Sequence, residues 1–149
     1  MNATSEASTG APPLVCRLGA APGSHWVDVA GLEAFLARGG EQVLFFQGDP
    51  IRFPEVLDIA VVLPELRRHF RDRFEIGVVA RADEDALARR YGVVHWPSLV
   101  FLRDGRFVDT VHGMLDWDVY LQRLQQVFAK PASRPPIALH AAAPATGCH

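Results

Sequence analysis

Residues 89–106 read RRYGVVHWPSLVFLRDGR, and the fold turns on how this stretch is read. A helical pattern ends at Tyr91-Gly92, where glycine accepts the left-handed backbone that closes a helix. An aromatic-proline step, Trp96-Pro97, follows. SLVFLR is then an apolar run of strand length. Asp104-Gly105 is a tight-turn signal, and it sends the chain back as RFVDTVH in an antiparallel hairpin. From the residues alone Pro97 opens a strand with a trans bond, which X-Pro base rates favour.

Upstream, FEIGVVA is a second buried strand, and Asp83 is placed to cap a brief helix through Leu87 to Arg90. QVLFF is a continuous apolar run of the kind expected in a strand covered on both faces. After it, Val56, Ile59, Ala60, Leu63, Leu66 and Phe70 follow the helical period to about Arg71. Pro54 falls near the first turn, where a missing N–H costs nothing. Pro64 falls inside the helix, where it costs about 3 kcal/mol unless a bend or a break accommodates it. A short amphipathic helix, Val29, Leu32, Phe35 and Leu36, precedes these elements and is capped by Asp28. A last one opens at Asp116, with Trp117, Tyr120, Leu121, Leu124 and Phe128 on one face. Parallel strands joined by helices and finished by a hairpin and a helix predict an α/β sandwich around a mixed sheet.

The chain has 149 residues, about half of them hydrophobic, which suits one domain with a real core. Residues 24–130 are expected to fold. Residues 1–23 are expected to be a flexible leader and the Pro/Ala-rich 131–149 a disordered tail. The net charge of −2 excludes polyanion binding driven by bulk positive charge, so nucleic acid is not an expected partner. The first fourteen residues hold no Lys or Arg and no apolar run, unlike a secretory signal. No apolar run is long enough to span a membrane. A cytoplasmic location is expected, and two isolated cysteines, Cys16 and Cys148, suit a reducing compartment. They form neither a disulfide framework nor a Cys-x-x-Cys pair. His25, His69, His95 and His112 lack ligand spacing, and Cys148-His149 offers only two adjacent ligands, so neither a metal nor another cofactor is expected.

RRYGVVHWPSLVFLRDGR, together with Pro64 inside the long helix, resembles the thioredoxin superfamily. That resemblance implies a thioredoxin-like three-layer sandwich with Pro97 in the cis form. Where a redox thioredoxin holds a thiolate activated by a helix amino end, this chain reads QGDPIRFPEVLDI, residues 47–59, without Cys, Ser, His or Lys. The usual dithiol chemistry is therefore excluded at that position, and no catalytic residue is assigned. More narrowly, DPIRFPEVLDIAVVLPEL, YGVVHWPSLVFLRDGR and HGMLDWDVYLQRL resemble the HupG/HyaE family of hydrogenase expression proteins, over residues 25–128. The resemblance implies a chaperone role in maturation of an uptake nickel-iron hydrogenase. The implied partner is the small-subunit precursor, whose export signal carries twin arginines.

Between residues 41 and 66 the acids Glu41, Asp49, Glu55, Asp58 and Glu65 stand against one base, Arg52, a local charge of five negatives less one positive, or −4. Carboxylates form bidentate, charge-assisted bonds with guanidinium groups, so such a cluster suits a twin-arginine segment. Glu55 and Asp58 equally complement the positive amino end of their helix. The candidate partner-binding residues are Asp49, Arg52, Phe53, Glu55, Asp58, Glu65, Trp96 and Pro97, the last two as the rim of a groove. Leu57, Val61 and Val62 add a second apolar flank, of which part is expected to be buried. Two alternatives stay open: an oxidoreductase or peroxidase using Cys16 or Cys148, and a homodimeric scaffold pairing through strand edges or the long helix.

Overall fold

A computed structural model of the chain describes residues 10–136. Five strands form one sheet: β1 Ser24–Val27, β2 Glu41–Phe46, β3 Phe74–Val79, β4 Ser98–Arg103 and β5 Arg106–His112. Their spatial order is β1-β3-β2-β4-β5. β1 and β2 both run parallel to β3, whereas β4 pairs antiparallel with β2 and β5 with β4. The helices are α1 Pro13–Gly19, α2 Leu32–Ala37, α3 Val56–His69, α4 Glu84–Tyr91 and α5 Trp117–Ala129, with a 3₁₀ turn at Arg81–Asp83 before α4.

The pleat explains why the strands read as unbroken apolar runs. Val43 and Phe45, with Leu99 and Phe101 beside them, enter a core built with α1, α3 and α5. Their neighbours Leu44, Phe46, Val100 and Leu102 enter a second core built with α2 and α4. Alternate side chains thus fill two cores, and the sheet is the middle of three layers. The Asp104-Gly105 turn has left-handed backbone at both positions, φ 50° and 80°, as a two-residue hairpin with the sheet's twist requires.

Several expectations change. Pro13–Gly19, assigned in sequence to a flexible leader, is a helix with Val15 and Leu18 buried in the first core. Seven residues with two core contacts are too short for a periodic signal. β1, four residues at the sheet edge, was equally silent. Val29 precedes α2 and is 52% exposed; its N–H donates to Asp83 Oδ2 at 2.8 Å. Asp83 is therefore spent on a distant backbone and makes no side-chain cap on α4. Asp28 accepts from Gly31 N at 2.7 Å.

α3 runs continuously through Pro64. Leu57 and Val62 pack partly on the first core, whereas Val61 is 52% exposed. Trp117, expected on the buried face of α5, is exposed; Tyr120, Leu124 and Val127 carry the core contact. From Pro131 the expected tail at first follows the body, with Ser133 N donating to Phe107 O at 2.7 Å. Residues 1–9 and 137–149, including Cys148-His149, lie outside the described residues.

Candidate functional site

The carboxyl end of β2 and the loop before β4 face each other across a groove of about 520 Å³. Gly48, Asp49, Arg52 and Phe53 line it from the β2–α3 loop. Val94, His95 and Trp96 line it from the α4–β4 loop, Arg81 from the 3₁₀ turn and Asp85 from the first turn of α4. The β2–α3 loop is held by a local turn, in which Asp49 Oδ1 accepts from Ile51 N at 2.9 Å and Asp49 O from Phe53 N at 2.8 Å. The Arg52 guanidinium stacks 5.2 Å from the Phe53 ring centroid. Opposite, the Trp96-Pro97 bond is cis, and Pro97 O accepts from Gly113 N at 2.9 Å.

Of the eight residues singled out in sequence, the groove collects Asp49, Arg52, Phe53 and Trp96, with Pro97 next in the chain. Glu55, Asp58 and Glu65 do not line it. Glu55 precedes α3 and Asp58 sits in its first turn, while Glu65 pairs with Arg68 at 2.7 Å. Glu41 pairs with Arg103 at the other end of β2. The local charge of −4 is thus spread along an element, and the groove has Asp49 and Asp85 set against Arg52 and Arg81.

Glu84 organises the site and was not read in sequence. It is 1% exposed, and its carboxylate accepts from Gln47 N at 2.6 Å, from Gly48 N at 3.1 Å and from Arg81 Nη1 at 2.8 Å. Burial pushes its pKa up, against the opposing pull of Arg81 and of the two backbone donors. A signal for it existed. Glu84, Leu87, Ala88 and Tyr91 share helical spacing, and all four are buried in α4.

At the cis-proline loop Ser98 Oγ donates to His95 O at 2.6 Å. With that proton used, His112 Nδ1, 2.9 Å from the same oxygen, is the donor to it. The His95 and His112 rings are 5.3 Å apart. Burial, then the charges of His95 and Arg123, hold His112 below the usual imidazole range, against Asp109. Cys16 lies on α1 with Sγ 3.6 Å from Ala11 O and does not line the groove. Among the described residues, no group of three or more His, Cys, Asp or Glu side chains could hold a metal ion, and no helix is long and apolar enough to cross a membrane.

Residues 14–120 match the model of a protein family described as "Hydrogenase-1 expression protein HyaE". The chain belongs to the HyaE family of hydrogenase expression proteins. Among its relatives, the hydrogenase expression/formation protein HoxO of Cupriavidus necator is 48% identical over 143 residues, covering 93% of this chain and 89% of that one. HupG of Bradyrhizobium diazoefficiens is 41% identical, covering 73% and 76%. The crystal structure of a hydrogenase expression/formation protein HupG from Rhodopseudomonas palustris superposes with a TM-score of 0.51 at 40% identity, over 70% of this chain and 94% of that one. Fasciola hepatica thioredoxin, at 22% identity and a TM-score of 0.55 over 66% and 93%, shares the fold. HyaE-family membership and the thioredoxin-like α/β architecture thus agree with the resemblance drawn from Trp96-Pro97 and its flanks.

Proposed function

We propose that this HyaE-family protein is a redox-inactive chaperone of the cytoplasm that assists maturation of an uptake nickel-iron hydrogenase. It does so by binding the small-subunit precursor through its twin-arginine signal peptide. The observation that supports this most is the content of the groove. It lies where thioredoxin-like proteins engage their substrates, and its lining combines the carboxylates of Asp49 and Asp85 with the rings of Phe53 and Trp96, without a thiol. Carboxylates on two elements offer charge-assisted, bidentate bonds to two guanidinium groups. The aromatic rings, with Ile51 88% exposed in the same β2–α3 loop, suit the apolar stretch that follows the arginines. Asp85 takes the place that sequence reading gave to Glu55.

Titration calorimetry with a twin-arginine peptide tests this. Asp49→Ala with Asp85→Ala should weaken binding by roughly tenfold or more, the value of one charge-assisted bond or better. A peptide with both arginines changed to lysine should also bind more weakly, because an ammonium makes no planar fork. Equal affinity for all pairs defeats the proposal. Insulin reduction or peroxidase turnover by the parent that vanishes in a double Cys→Ser variant would instead establish a thiol enzyme.

A further inference from the structure

We propose that Glu84 is the positioning residue of the groove, a charged latch that ties the β2–α3 loop to the amino end of α4. Its partners come from elements 36 and 37 residues away in sequence as well as from its own end of α4. Two of them, Gly48 and Arg81, line the groove. A buried carboxylate persists only when its oxygens are satisfied, and here both oxygens are engaged. The sheet does not depend on this contact. β2 pairs with β3 and β4 along its length, and Gln47 Nε2 holds Val79 O at 3.1 Å independently. What does depend on it is the position of the first loop residues, because among the described residues the N–H groups of Gln47 and Gly48 have only the Glu84 carboxylate as acceptor. Gly48 in turn sits directly against Trp96 and Phe53, so movement at Gly48 is transmitted to both groove walls.

The charged group facing Glu84 is Arg81, from the 3₁₀ turn; the loop contributes backbone donors, and α4 places Asp85 beside it on the groove side. Loss of the Glu84 charge therefore frees Arg81 into the groove and leaves two amides weakly held. Because burial already disfavours the carboxylate, mild acid is the condition that does this. The inference rests on the groove being the binding surface, but its primary readout is independent of any peptide.

The test compares the full chain with Glu84→Gln by amide hydrogen exchange and carboxyl-carbon NMR across mildly acidic to neutral pH, together with calorimetry of a twin-arginine peptide. In Glu84→Gln, protection at Gln47 and Gly48 should fall by roughly tenfold, the loss of a charged acceptor, while Val43, Leu44 and Phe45 keep theirs. In the parent, the Gly48 amide signal should titrate with the midpoint of the Glu84 carboxyl carbon, and peptide affinity should fall in the same window. In Glu84→Gln that window should be flat. Parent-like protection at Gly48 in the variant, a uniform loss across the sheet, or different midpoints for Gly48 and Glu84 in the parent would overturn the latch. Protection lost at Gly48 with peptide affinity unchanged would support the latch and overturn the groove as the peptide site.

Discussion

Gly48 lies against Trp96 so closely that a Cβ on Gly48 would stand 2.8 Å from Trp96 Cβ and 3.0 Å from Phe53 Cδ2. The two walls of the groove meet at this contact. Its φ of +73° lies where a side chain adds strain, so two independent effects forbid substitution. Gly48→Ala is expected to cost roughly 2–3 kcal/mol, from left-handed backbone and overpacking together. It should also displace the Trp96 indole signal in an NMR spectrum. Urea denaturation giving parental stability would show that loop and tryptophan separate freely.

Arg103 carries a different kind of junction. At the end of β4 its Nε meets Glu41, its register partner on β2. Its Nη atoms donate to Lys130 O at 2.6 Å and Val127 O at 3.0 Å at the carboxyl end of α5. One guanidinium thus joins strand pairing to a helix end, adding a second donor to Val127 O, which also accepts from Lys130 N at 3.2 Å, and holding Lys130 O just past the last turn. Arg103→Met should lose roughly 2–4 kcal/mol, since Glu41 is left without its counter-charge. Arg103→Lys should recover less than half of that, because one ammonium cannot span the same acceptors. Full recovery by lysine in thermal or urea unfolding would contradict the forked-cap account.

Which of these features were legible in the sequence follows from their physical range. The two-residue turn at Asp104-Gly105, the buried runs of β2 to β4 and the α3 stripe from Val56 to Leu66 are local or periodic, so spacing reveals them. α1 and β1 are held by partners far along the chain, α1 through Val15 and Leu18 and β1 by its pairing with β3, and neither is long enough to show a period. In the site, Asp49, Arg52, Phe53 and Trp96 were found because a strand end and an aromatic-proline step mark loops. Glu55, Asp58 and Glu65 were grouped with them by proximity in sequence, which a helix of fourteen residues does not convert into proximity at one end. Asp85 and Glu84 come from another element. Glu84 was recoverable only by asking why a carboxylate shares a stripe with Leu87 and Tyr91.

The pH response of stability separates two groups of opposite sign, His112 at the exposed end of β5 and the buried Glu84. His112 is held below the ordinary imidazole range, so the unfolded chain binds that proton more readily. Stability from neutral His112 is present above the unfolded value, about 6.5, and is lost as pH falls from there toward the depressed folded value. Glu84 is raised, so the folded chain holds its proton more tightly than the unfolded one. Its effect runs the other way, with stability decreasing as pH rises from the ordinary carboxyl range through the raised value. Between neutral pH and 5.5, His112→Gln should therefore lose less melting temperature on acidification than the parent does. A parallel pair of curves would show that His112 does not titrate differently on folding.

At the β5 edge the chain closes itself. Ser133 N donates to Phe107 O at 2.7 Å. Farther along, Thr110 N donates to Asp109 Oδ1 at 2.8 Å and Thr110 O accepts from Arg123 at 3.3 Å. An exposed edge strand is a template for pairing with another chain unless its polar backbone groups are covered. Residues 131–136 and these two side chains provide that cover on one side of the sheet, while β1 on the other is only four residues long. Ending the chain at Lys130 and changing Arg123 to Ala should uncover Phe107 O and Thr110 O together. Sedimentation velocity is then expected to show concentration-dependent association of the shortened variant, reversed when Lys is placed at Thr110 to blunt the edge again. If the shortened variant sediments as the full chain does at every concentration, β5 is no latent interface, and any homodimer of this protein must form through another surface such as the exposed flank of α3 around Val61.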